Sequence, residues 1–188
     1  MAISSVESYY RRVFERTRNV ILGMSTETYT LVHVIISLVG IASGLVVMFG
    51  LVGGKRFDAW TALFLATTVA TSVTGFGFPF HKVTPAIVVG ILSLVLLALS
   101  ILGRSVFHLA GGWRRTYVIT AVIALYFNVF VLIVQSFEKA PALRKLAPTQ
   151  SEPPFLIAQV IVLVLFVVIG IRAVKGFHEP AVSAVKAR

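Results

Sequence analysis

The chain contains no cysteine. That absence excludes disulfides, thiolate metal sites and a cysteine nucleophile, and leaves the redox compartment open. Acid is also scarce, with 7 Asp and Glu against 17 Lys and Arg. None of the acids falls inside a long apolar run, so the carboxylate relays that pumps and coupled transporters carry at membrane depth have no candidate. HExxH, GxSxG, Walker and GxGxxG patterns are missing too, which removes the common hydrolase and nucleotide-binding signatures. Charged residues make up 13% of the chain, against about 25% in an ordinary soluble domain.

Apolar residues are what the sequence has in excess. They form 57% of 188 residues, and a soluble domain of this size has too little interior to hide them, so lipid must be the solvent for much of the surface. A net charge of +10 would suggest nucleic acid in a soluble protein. Here the cations lie between apolar runs or at the chain ends, the pattern of charges that flank membrane spans. The expected partner is the lipid bilayer, and nucleic acid is not expected.

The stretch Gly75-Phe76-Gly77-Phe78-Pro79-Phe80-His81-Lys82 separates two of these runs. Glycine and proline interrupt helix, and aromatic rings suit the level where hydrocarbon gives way to water. It predicts a tight turn between two membrane helices. Five spans are expected, near Tyr29–Val52, Ala59–Phe78, Thr84–Gly103, Thr116–Phe137 and Pro154–Ile171. Each approaches the ~20 residues that cross the hydrocarbon core. Helix is required there, because lipid offers backbone N–H and C=O groups no partner. The fold class is therefore an all-α polytopic membrane bundle, with residues 24–177 as the transmembrane domain and 178–188 as a basic tail.

Residues 1–23 differ from the rest. Val6, Tyr9, Tyr10, Val13, Phe14 and Val20 recur at helical spacing, opposite Arg11, Arg12, Arg16 and Arg18. Two readings stand: an interfacial helix on anionic lipid, or an extension ahead of a start at Met24, where Met24-Ser25-Thr26-Glu27 makes a natural helix beginning. The choice bears on orientation. Lys55, Arg56, Arg104, Arg114, Arg115, Arg172, Lys175, Lys186 and Arg188 share one side with the tail; Lys82, Lys139, Arg144 and Lys145 lie on the other. Without the N-terminal arginines the excess of cations places the tail in the cytoplasm; with them the two sides nearly balance.

Spans one and three look related. Val39-Gly40-Ile41-x-Ser43 and Val89-Gly90-Ile91-x-Ser93 match at an offset of fifty, as do Gly53 and Gly103. Two tandem helix hairpins plus a fifth helix would produce this pattern. Gly40 and Gly44 form a GxxxG spacing, and Ala62, Ala66, Ala70 and Thr74 extend small-residue spacing along span two. Both read as helix-packing faces, within one molecule, in a homo-oligomer or with a membrane partner. Thr67, Thr71 and Thr74 could also line a substrate path, though a threonine hydroxyl can simply bond the carbonyl one turn back.

Strongly polar side chains at depth are few. His33, His81, Gln135, Glu152 and Gln159 belong to one membrane side by alternation of spans, with Asn128 about 13 Å deeper at ~1.5 Å per residue. Together they sketch a polar mouth. His33 and His81 are the best ligand pair available, since neutral imidazole suits iron, copper and zinc and two opposed rings can hold a haem; the bland reading makes both interfacial anchors. Function then divides three ways: a binding or accessory membrane protein rather than an enzyme, a haem- or metal-binding redox protein using His33 and His81, or a small transporter or channel leading to Asn128. Catalytic residues are not identified.

Over Met24 to Phe177, and most plainly in Thr67-Thr68-Val69-Ala70-Thr71-Ser72-Val73-Thr74-Gly75-Phe76-Gly77-Phe78-Pro79-Phe80-His81 and Pro148-Thr149-Gln150-Ser151-Glu152-Pro153-Pro154-Phe155, the chain resembles a family of uncharacterised small multi-pass bacterial inner-membrane proteins. The resemblance implies a bacterial inner membrane and carries over no catalytic residue.

Overall fold

A computed structural model describes residues 20–78 and 85–177. The N-terminal residues 1–19, the part of the predicted turn that holds His81, and the tail with His178 lie outside the described residues. Two-residue strands β1 (Val20–Ile21) and β2 (Met24–Ser25) pair antiparallel. Leu22 and Gly23 join them with φ of 51° and 79°, the positive pair that a tight two-residue hairpin turn requires. The helical spacing expected to reach Val20 therefore does not hold at that residue.

Ser25 ends the hairpin and caps α1 (Thr26–Val52), its hydroxyl accepting from the Thr28 N–H at 3.2 Å. Glu27 lies in the first turn, where the helix dipole favours negative charge. Next come α2 (Asp58–Gly75), α3 (Pro85–Ile101), α4 (Gly112–Lys139), α5 (Pro141–Leu146) and α6 (Pro153–Gly176). A π-helical turn, Leu102–Val106, extends α3. The short α5 occupies a stretch expected to be loop; Pro141 at its start has no N–H to leave unsatisfied.

The fold is an all-α membrane bundle, and five long helices lie where the sequence expects five spans. Four of them, α1, α3 with its π-turn, α4 and α6, are long and apolar enough to cross a membrane by length and composition. The exception is α2. Its 18 residues include Asp58 and five threonines, and they reach only about 27 Å at ~1.5 Å per residue, against a core of ~30 Å. It packs between α1 and α3 instead of standing alone in lipid. At the periphery, only 17% of the apolar stretch of α6 is buried, against 44% of that of α1.

The main core sits toward the end that holds the α1–α2 loop. Val47, Met48 and Leu51 of α1 meet Phe64 and Leu65 of α2, Leu97 of α3, Tyr117, Val118 and Leu125 of α4, and Phe166 of α6. Arg104 on the π-turn closes this end by donating to Asp58 at the start of α2, at 2.6 Å. Trp113 stacks on Phe107 with centroids 4.0 Å apart. A smaller cluster at the opposite end joins Phe137, Ala147 and Phe155, the two rings edge to face.

Gly44 is a tight point of the α1 contact face. A Cβ there would lie 2.6 Å from Leu125 Cδ1 and 2.8 Å from Phe64 Cδ2, and one at Gly40 would lie 3.2 Å from Thr67 Oγ1. On α2 the buried stripe is Thr61, Phe64, Leu65, Thr68 and Ser72. Ala62 and Ala66 are exposed and Ala70 is half-buried, so the alanine spacing runs beside the face that packs within the molecule. Close approach is the main attraction between helices in lipid. Gly44→Leu should therefore lower the unfolding midpoint in detergent, at a cost of about 1–3 kcal/mol, while Ala42→Leu at an exposed position of α1 should leave it unchanged. Equal midpoints for the two variants would show that Gly44 does not set the helix spacing.

Candidate functional site

Hydroxyl-bearing residues inside the bundle mostly bond their own helix. Ser43 donates to the Val39 carbonyl, Thr67 to Leu63, Ser72 to Thr68, and Thr74 to Ala70. These bonds satisfy a polar group where lipid supplies no partner. The bonds that cross between helices are fewer, and they define the candidate site.

At the end of α2, His33 Nδ1 lies 2.8 Å from Thr74 Oγ1, and the Tyr29 hydroxyl donates to the Thr74 carbonyl at 2.8 Å. Thr74 has one hydroxyl proton, and it points to the Ala70 carbonyl at 2.7 Å. With that proton committed to the Ala70 carbonyl, Nδ1 carries the imidazole proton and donates, which makes Nε2 the acceptor nitrogen, with no hydrogen-bond partner among the described residues. The Phe78 ring meets both Tyr29 and His33 edge-on, at 5.1 and 5.2 Å between centroids. Gly77 is required beside them: any Cβ there would run into the Tyr29 hydroxyl. Two turns of α1 and the end of α2 thus fix the orientation of one histidine.

Deeper in the bundle, Asn128 Nδ2 donates to Thr68 Oγ1 at 3.3 Å, linking α4 to α2. Thr68 is fully buried, and its hydroxyl also faces Gly40. One seam accordingly holds a glycine of α1, a threonine of α2 and an amide of α4. On the flank, Gln159 Nε2 donates to the Phe130 carbonyl at 3.3 Å; its Oε1 is buried without a partner among the described residues, as is Thr71 Oγ1. Between α3 and α4, Ser100 and Thr120 hydroxyls lie 2.6 Å apart.

The residues expected to form a mouth go to separate partners. Gln135 donates to Glu138 at 3.4 Å. Glu152 accepts from the Thr149 N–H, the Thr149 hydroxyl and the Ser151 N–H. Desolvation is the largest single effect and pushes its carboxyl up, but the hydrogen bonds from Thr149, its own N–H and Ser151 together outweigh it and hold the group below the usual glutamate value. Gln150, with φ 59°, donates to the Val134 carbonyl and ties the loop to α4. Among the described residues no group of three or more His, Asp or Glu gathers in a way that would hold a metal ion; His81 lies outside them.

In the sequence Phe78 reads only as one of the interfacial rings of the turn, and Tyr29, Thr68 and the Ser100–Thr120 pair are not singled out. Of these, Thr68 carries a signal, being one turn from Thr71 on a helix whose other partners are glycine and amide. No family model, curated protein or solved structure matches the chain. If the Asn128–Thr68 bond joins α4 to α2, a double-mutant cycle of Asn128→Leu and Thr68→Val should give a coupling of about 0.6 kcal/mol, up to ~1.7. Strict additivity would show that the two side chains do not interact.

Proposed function

We propose that this membrane protein is a multi-pass component of a bacterial inner membrane that works by binding, as an accessory protein, and not by catalysis. The observation that carries this reading is the use of its polar groups. His33, Asn128, Gln159, Ser100 and Thr120 each bond to a neighbouring helix, so at depth they hold the bundle together. What the molecule offers its surroundings is apolar helix surface, above all on α3 and α6. The orientation reading keeps the C-terminal tail in the cytoplasm, supported by the cations Lys55, Arg56, Arg104, Arg114, Arg115, Arg172 and Lys175 at one end.

A second reading, haem or metal binding, has one observation in its favour: the His33 ring is held through Nδ1, and its Nε2 meets no hydrogen-bond partner among the described residues. His81 would have to supply the opposing imidazole. The detergent-purified full-length protein separates the two. Under the accessory reading it is colourless and metal-free even after expression with haem and metal supplements, and a cytoplasm-dependent reporter fused after Arg188 is active. A visible band or bound metal that His33→Ala and His81→Ala each abolish would overturn that reading in favour of the second.

A further inference from the structure

We propose that the groove between α4 and α6 binds one anionic phospholipid, its acyl chain lying along the groove and its phosphate held at the end marked by Lys175. The groove encloses about 360 Å³ and is walled by Ile119, Ile123 and Tyr126 of α4 and by Leu163, Val167 and Gly170 of α6. Its walls are apolar over their whole length up to Lys175. Gly170 shapes the floor, because a Cβ there would already lie 3.3 Å from Val122 Cγ1.

Length selects the occupant. From Leu163, near the middle of α6, to Lys175, near its C-terminal end, is about 18 Å at ~1.5 Å per residue. Half of a ~30 Å hydrocarbon core is ~15 Å. The groove thus runs from the bilayer midplane to the headgroup level of a single leaflet, the path of an acyl chain.

Charge completes the match. Lys175 is exposed at the headgroup end of one wall. On the other wall Arg115, also exposed, lies one turn before Ile119 and hence on the same face of α4. The ion pairs among the described residues all converge on Asp58 and involve neither cation. A phosphate at this level meets both, and the attraction of such cations for anionic lipid adds to burial of the chain.

The test is native mass spectrometry of the full chain in a non-ionic detergent, titrated with phosphatidylglycerol and, separately, with phosphatidylcholine of the same acyl composition. The wild type should retain one phosphatidylglycerol in preference to phosphatidylcholine. Lys175→Gln should weaken phosphatidylglycerol retention by about fivefold and leave phosphatidylcholine unchanged. Val167→Trp fills the groove from an exposed position and should abolish retention of both, with Ile123→Trp as a second groove-filling variant should the first fail to fold. Ile161→Trp, equally exposed on another face of α6, should retain lipid as the wild type does. Equal retention in Val167→Trp and Ile161→Trp would overturn the proposal and leave only a non-specific lipid annulus. A wild-type dimer that Val167→Trp disperses, with no lipid retained, would overturn it in favour of a second copy.

Discussion

A polar group carried into hydrocarbon finds no water and must be satisfied by the protein itself. That constraint organises this bundle. It makes the spans helical, and it sets what most of the serines and threonines inside them do. Ser43, Thr67, Ser72 and Thr74 bond back to their own helices. Asn128 crosses to Thr68 on α2. The glycines serve the same end, since Gly40 lets α1 approach closely enough to place its backbone against the Thr67 and Thr68 hydroxyls.

The two ends of the molecule are built differently. Toward the α1–α2 loop, large side chains from five helices interlock around Phe64, Leu97, Tyr117 and Leu125, and the Arg104–Asp58 pair covers them. Helices meet there by shape. At the other end the contact between α1 and α2 is polar and aromatic, made by Tyr29, His33, Thr74 and Phe78. A polar end held by a few directed bonds is more readily altered by a ligand or a partner than an interlocked core. The histidine end is therefore the softer of the two contacts between α1 and α2.

The sequence supplied the class and the helix positions because the constraint leaves a plain mark: long runs without charge, bounded by proline, glycine and cations. Ser25 before Thr26 and the glycines of α1 were readable for similar local reasons. What it did not supply depends on rotation about a helix axis. The period of four picked out Ala62 and Ala66 on α2, whereas the buried stripe runs through Thr61, Leu65, Thr68 and Ser72. In lipid both faces are apolar or small, so hydrophobic contrast no longer marks the inside. Pairings such as Ser100 with Thr120 and Tyr29 with Thr74 depend on the same rotation. Glu152, in the loop before α6, was visible as polar, but its role as acceptor for Thr149 and Ser151 needed the loop's shape.

The central claim is that the polar side chains within the membrane bond mostly to their own helix or to a neighbouring one and do not line an aqueous path. The lack of native cysteine makes spin labelling at single introduced cysteines direct. In reconstituted bilayers, labels at Val160→Cys, Val164→Cys and Val168→Cys on α6 should be accessible to oxygen and shielded from a water-soluble nickel reagent. Labels at Thr67→Cys, Thr71→Cys and Asn128→Cys should be shielded from the nickel reagent as well. Access of that reagent along Thr67, Thr71 and Asn128 would reveal a water-filled path and contradict the account.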